Sequence, residues 1–105
     1  MPVFAVTTAK GRNWDHDRGT REQPFFTEHA AFADDLVDRG VILLCGPIVS
    51  DEAEDIALLA VEAPDEGTLR SVFDDDPWIV HNVFRLKQVR PWTLWLYGRS
   101  RRDRR

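Results

Sequence analysis

The stretch from Phe25 to Gly40 constrains the fold of this chain most, because it has the pattern of an amphipathic helix. One residue on its apolar side does not fit: His29 is titratable. At about 100° per residue, five apolar side chains fall within about 60° of that histidine: Phe25, Phe26, Phe32, Ala33 and Leu36. The charged residues of the stretch lie on the opposite side, so the pattern predicts an imidazole aimed at the core.

A titratable ring in the middle of an apolar stripe is costly to bury unless it is hydrogen-bonded. Two interpretations of His29 follow. In the first, it is a core histidine whose ring is satisfied by a backbone carbonyl or a water. In the second, it is an acid or base held in a pocket, with a pKa near neutrality. Both interpretations require a hydrogen-bond partner for the ring.

The composition indicates a soluble globular protein of one domain, since 43% of its 105 residues are hydrophobic and 30% are charged. We expect this domain to occupy residues 1–97 and the basic tail, residues 98–105, to be disordered. No run is long and apolar enough to span a bilayer, so no membrane association is expected. The N-terminal residues lack the charged leader of a secretory signal, and the single cysteine, Cys45, forms no internal disulfide. These features predict a cytoplasmic protein in which Cys45 is a small buried residue.

The distribution of charge argues against nucleic acid as a partner. The last seven residues hold five arginines and one aspartate, which leaves the preceding 98 residues with a net charge of −8. An acidic body repels phosphate, and a short basic end alone gives weak, salt-sensitive binding. A metal site is not expected either. The adjacent residues Asp15, His16 and Asp17 cannot all turn toward one ion, and a solvated loop accounts for them better.

Four segments have the composition of β-strands. The first is Pro2 to Thr8, which is followed by a polar loop from Lys10 to Gln23. Two continuous apolar runs, Val41 to Cys45 and Ile56 to Val61, predict strands buried on both faces and joined as an antiparallel hairpin. The last strand is expected from Val83 to Trp92.

Two helices are expected among these strands. Pro24 suits the first turn of the helix that carries His29, and Gly40 suits its end. A second helix is expected to begin at Pro64 and to end before Pro77. The order βαββαβ predicts an α+β, ferredoxin-like fold in which two helices cover one face of a four-stranded antiparallel sheet. The other face stays open, so we expect a homodimer formed through it.

Three motifs in this order carry a resemblance to a known family: the helix histidine, the pair Gly46 and Pro47, and the stretch from Asp76 to Trp78. Over roughly residues 2 to 92 the chain resembles the YciI-like (YCII-related) family. The resemblance implies a dimeric α+β barrel with an active site built on a histidine and an aspartate, here His29 and Asp76. Family members include enzymes that remove chloride from chlorinated aromatic breakdown products, and the wider superfamily includes muconolactone isomerases.

Asp76 is a better partner for His29 than Asp38, because nine residues along a helix turn the Asp38 side chain about 180° away. A carboxylate that accepts one ring N–H fixes the imidazole and leaves the other nitrogen free for proton transfer. Family members often carry an arginine one turn before the histidine, where this chain has Phe26. Arg21, further upstream, is the candidate for that charge.

Two functions from different classes follow. The first is an enzyme without metal or organic cofactor, of the lyase, dehydrochlorinase or isomerase type, acting on an aromatic-derived or lactone-like substrate. The second is a non-catalytic dimer that binds a small ligand, or an accessory protein. In the enzyme, His29 is the acid or base and Asp76 orients it. Five residues are expected to contact the substrate: Phe25, Phe32, Trp78, Trp14 and Arg21.

Overall fold

The computed structural model describes residues 1–97, so the predicted disordered tail, residues 98–105, lies outside the described residues. Within them the chain forms four strands and three α-helices. In chain order these are β1 (Val3–Lys10), α1 (Phe26–Asp38), β2 (Ile42–Gly46), β3 (Asp55–Glu62), α2 (Glu66–Phe73), α3 (Pro77–Val80) and β4 (Phe84–Pro91). A short 3-10 helix, Thr20–Glu22, precedes α1. None of the helices in this part of the chain has the length and apolar character needed to cross a membrane.

The strands form one antiparallel sheet in the order β2-β3-β1-β4. The predicted α+β, ferredoxin-like fold is therefore confirmed. One helix was not expected: α3 lies between the expected end of the second helix, before Pro77, and the expected start of the last strand at Val83. It forms because Asp76 accepts a hydrogen bond at its N-terminus and Pro77 occupies its first turn.

The helices build the core on one face of the sheet. Alternate residues of β1 and β3 point to that face, where they meet buried side chains of α1 and α2. The buried members of this cluster are Phe4, Val6, Leu36, Ile42, Leu59, Val61, Ala63, Leu69 and Phe73. The intervening residues of β1, such as Ala5 and Thr7, are half-buried and face the other way. The chain's helices thus leave the second face of the sheet open.

The apolar run from Val41 to Cys45 is not the central strand that its composition predicted. It forms the edge strand β2, which pairs only with β3 in the described part of the sheet. A register shift between Ile42 and Leu44 accompanies this position. Leu44 is 54% exposed and the Cys45 side chain is also exposed, so the expectation of a buried cysteine is wrong.

The ends of α1 differ in how well the sequence predicted them. Gly40 has a φ of 76°, the left-handed conformation expected just after a helix. Its N–H donates to the carbonyl of Val37, and the N–H of Val41 donates to that of Leu36. At the other end, Pro24 is outside the first turn. Phe25 precedes the helix with a φ of 62°, which breaks the helical path before Phe26.

Gly11 lies where the loop after β1 packs against the turn before β4. Its N–H donates to the carbonyl of Val83, and a Cβ at this position would lie 2.3 Å from the carbonyl oxygen of Asn82. Because backbone cannot move aside cheaply, Gly11→Ala is expected to lower the free energy of unfolding by about 1–3 kcal/mol. Urea unfolding measures this change in the free energy of unfolding. The control is Gly46→Ala, since a Cβ on Gly46 meets no atom within 4 Å; equal losses in both variants would contradict this packing.

Candidate active site

Asp76 is the most buried acidic side chain of the site, with 1% of its surface exposed. Its backbone is extended, with φ −64° and ψ 124°, as a residue before proline favours. That conformation places it at the N-terminus of α3, where its Oδ1 accepts a hydrogen bond of 2.9 Å from the N–H of Trp78. The helix start and this hydrogen bond together fix the carboxylate.

His29 reaches this carboxylate from α1. Its Nδ1 lies 2.9 Å from both Oδ1 and Oδ2 of Asp76. Since an ionised carboxylate only accepts hydrogen bonds, Nδ1 is the donor. The neutral ring then carries its lone pair on Nε2. The hydrogen-bond partner that a buried imidazole requires is therefore Asp76, and not a backbone carbonyl.

Aromatic rings hold the imidazole in one plane. The ring of Trp78 stacks on it with centroids 3.8 Å apart and an angle of 4°, while Phe84 meets it edge-on at 5.0 Å. The His29 side chain is 17% exposed. Its Nε2 makes no hydrogen bond to any residue in the described range 1–97. This nitrogen is therefore available to take or give a proton.

A cavity of about 370 Å³ lies between α1 and the sheet, and His29 and Asp76 are part of its wall. Most of its wall is apolar, with aromatic and aliphatic side chains from α1, β2, β3 and β4. The lining residues that matter for the chemistry are Thr8, His29, Phe32, Cys45, Asp76 and Trp78. An apolar cavity with a few polar groups is typical of small-molecule sites.

Trp78 anchors the site, because its indole is 1% exposed and its Nε1 donates a 2.9 Å hydrogen bond to the carbonyl of Pro24. Trp14 packs edge-on behind it at 5.8 Å and is 7% exposed. Trp14 does not line the cavity. In the structure it supports Trp78 from behind, and its expected contact with a substrate stays a prediction.

Phe25 and Arg21 also lie away from the cavity. The left-handed backbone of Phe25 turns its ring onto His81, with centroids 3.8 Å apart and an angle of 3°. The helical pattern placed Phe25 beside His29 only because it assumed a helix at that residue. Arg21 is exposed on the 3-10 helix, and its neighbour Thr20 lines the cavity in its place. Of the five expected contact residues, Phe32 and Trp78 line the cavity.

The model of the YCII-related domain family matches residues 3–93 of the chain. The chain belongs to this family. A search of curated proteins finds no match.

A solved structure shares the fold of this YCII-related domain. It is 5-chloro-2-hydroxyhydroquinone dehydrochlorinase from Burkholderia phenoliruptrix, in complex with 2,5-dihydroxybenzoquinone. The two chains are 19% identical, with a TM-score of 0.53 over 93% of this chain and 97% of the other. At this identity the likeness shows a common fold.

Thr8 and Cys45 are among the cavity residues of this YCII-related domain that were not predicted from the sequence. Thr8 shares the inward face of β1 with Phe4 and Val6, and strand alternation alone could have placed it there. Cys45 reaches the cavity from the edge strand. Although the residue is exposed by surface area, the protein around its sulfur partly desolvates the thiol and raises its pKa, so Cys45 stays protonated near neutral pH.

The one group of carboxylates within residues 1–97 that could hold a metal is Glu52, Glu54 and Asp55. It lies outside the cavity. Lys87 forms ion pairs with all three, at 2.6 Å to Asp55 and 3.1 Å to Glu54. Hydrogen bonds from this ammonium lower the pKa of Glu54 and Asp55, and the same contacts raise the pKa of Lys87. The lysine accounts for this cluster without an ion.

Proposed function

We propose that this chain is a small-molecule enzyme that moves a proton with the His29–Asp76 pair. The observation that carries the proposal is the 2.9 Å contact from His29 Nδ1 to Asp76, which leaves Nε2 unpaired on a ring that lines an apolar cavity. The reaction is of the lyase, dehydrochlorinase or isomerase type. The substrate is an aromatic-derived or lactone-like ring.

The same proton transfer through Nε2 of His29 serves an isomerisation and a dehydrochlorination. Nε2 takes a proton from a ring hydroxyl or, in a lactone, from a ring carbon next to the carbonyl, and the carboxylate of Asp76 stabilises the imidazolium that forms. The imidazolium then returns the proton to a ring carbon, which completes an isomerisation. If that carbon carries chlorine, chloride leaves with the bonding electron pair while Nε2 takes the proton of a second ring hydroxyl, whose oxygen becomes a carbonyl oxygen. The net change is loss of HCl, without an oxidant.

The aromatic side chains in the cavity wall support a flat ring as substrate. Trp78 and Phe84 present aromatic surfaces around His29, and such walls favour stacked or edge-on rings. The dehydrochlorinase of the same fold binds a quinone, which is a ring of this kind. Its 19% identity makes that likeness a guide to which substrates to test first.

A second function is favoured by one observation. The position one turn before the histidine is Phe26, and Arg21 is exposed and outside the cavity. The chain therefore lacks the arginine that many family members place there. A non-catalytic dimer that binds a small ligand is the alternative function.

A substrate panel separates the two functions. Chlorinated hydroquinones are tested for chloride release and lactones for isomerisation, and ligand binding is followed in parallel by NMR. The enzyme is expected to turn over at least one compound that it binds. Binding of panel compounds with no turnover in any of them would overturn the enzyme and favour the ligand-binding protein.

We also propose that the chain acts in the cytoplasm as a homodimer through the open sheet face. Leu44, which is 54% exposed, pairs with Ala60 on that face, and the buried Oγ1 of Thr7 has no partner there.

Leu44→Asp is expected to shift the protein toward monomer in sedimentation experiments, because it would bury a charge in the interface. The control is Val80→Asp on α3, a side chain 58% exposed. A monomeric wild-type protein at micromolar concentration would contradict the dimer.

A further inference from the structure

Thr8 has a buried hydroxyl without a partner at the wall of the cavity. The residue is 1% exposed, and its Oγ1 makes no hydrogen bond within the described residues. Thr8 lines the same cavity as His29 and Asp76. The one other buried side-chain atom of this kind in residues 1–97 is Oγ1 of Thr7.

A partner for this hydroxyl is not available from the neighbouring strands. Thr8 pairs with Ala57 on β3 and with Leu86 on β4, and both side chains are apolar. A buried hydroxyl without a hydrogen bond destabilises the fold, and a native protein usually pairs such groups. The O–H of threonine rotates about the Cβ–Oγ1 bond, so the group can donate in more than one direction. A molecule in the cavity is the partner that this position allows.

We propose that Thr8 is a ligand-positioning residue, whose hydroxyl bonds to one oxygen of a ring while Nε2 of His29 engages a second oxygen. The ligand class is therefore a flat ring with at least two oxygen substituents. Trp78 stacks on His29 and Phe84 meets it edge-on, and these two rings form the aromatic part of the cavity wall beside the histidine. This inference rests on the proposed small-molecule site, but it does not depend on turnover.

Thr8→Val tests the assignment, because valine keeps the shape of threonine and removes the hydroxyl. Two opposite effects are expected. The ligand-free protein becomes more stable, with a melting temperature raised by a few degrees, since the unpaired group is gone. The probes are phenol and the three dihydroxybenzenes, which are catechol, resorcinol and hydroquinone. The affinity for the dihydroxybenzene that the wild type binds best falls about tenfold, while the affinity for phenol stays the same, because the single oxygen of phenol is engaged by His29. Titrations are followed by NMR at the indole N–H of Trp78.

Two further variants test whether the effect comes from the hydroxyl of Thr8. Thr8→Ser keeps the hydroxyl and is expected to bind the dihydroxybenzene within about twofold of the wild type. Thr7→Val removes the other unpaired hydroxyl, which does not line the cavity. It is expected to leave both affinities unchanged.

Three results would overturn the assignment. One is an unchanged dihydroxybenzene affinity in Thr8→Val, and another is an equal loss for phenol, which would reveal a change in packing only. The third is a wild-type protein that binds none of the dihydroxybenzenes. If binding behaves as expected but no panel compound is turned over, the proposed enzyme fails and the ligand-positioning role of Thr8 stands.

Discussion

Asp76→Asn is expected to lower kcat by about 10²–10⁴-fold, and His29→Ala is expected to remove turnover altogether. The carboxylate of Asp76 accepts the proton of Nδ1 and leaves the lone pair of the ring on Nε2. An asparagine amide can instead donate to Nδ1, which moves the ring proton to Nε2 and blocks it as a base. Initial rates on the substrate found in the panel measure both effects.

The matched control is Asp38→Asn on the same helix as His29. Asp38 is exposed and does not line the cavity, so its variant is expected to keep the wild-type rate. Circular dichroism checks that all three variants are folded. A wild-type rate in folded Asp76→Asn would mean that the carboxylate does not orient a catalytic histidine.

Trp78→Ala is expected to lower the free energy of unfolding by about 3–5 kcal/mol, the cost of truncating a large buried aromatic side chain. The Trp78 indole is 1% exposed and packs on His29, Phe84 and Trp14. Its removal would also leave the carbonyl of Pro24 without the hydrogen bond from Nε1. Guanidinium unfolding, followed by circular dichroism, gives the change.

The control for this prediction is Trp95→Ala, since the Trp95 side chain is 91% exposed. Its unfolding free energy is expected to stay within about 0.5 kcal/mol of the wild type. Similar losses in the two variants would contradict the account of Trp78 as the residue that anchors the site.

The sequence predicted the placement of His29 because α1 is a continuous helix from Phe26 to Asp38. Inside such an element, position along the chain determines direction, so the apolar face could be assigned without coordinates. The same reasoning failed for Phe25. That residue is left-handed and outside the helix, and no residue type in the sequence marks such a conformation at a phenylalanine.

Features that depend on contacts between distant segments could not be predicted in this way. The apolar run of β2 has the composition of a central strand, but its place at the edge follows from which strands pair. The exposure of Cys45 follows from the same pairing. The unpaired hydroxyl of Thr8 likewise depends on Ala57 and Leu86, which are its neighbours only in the folded sheet.

The protonation state of the His29 ring tests the central claim most directly, and ¹⁵N NMR of the ring nitrogens measures it. Above the pH at which the ring loses its charge, Nδ1 is expected to carry the proton and Nε2 to be unprotonated in the wild type. In Asp76→Asn this preference is expected to reverse or to be lost. A wild-type ring protonated at Nε2, or a ring whose signals do not change in Asp76→Asn, would contradict a histidine held as a base by Asp76.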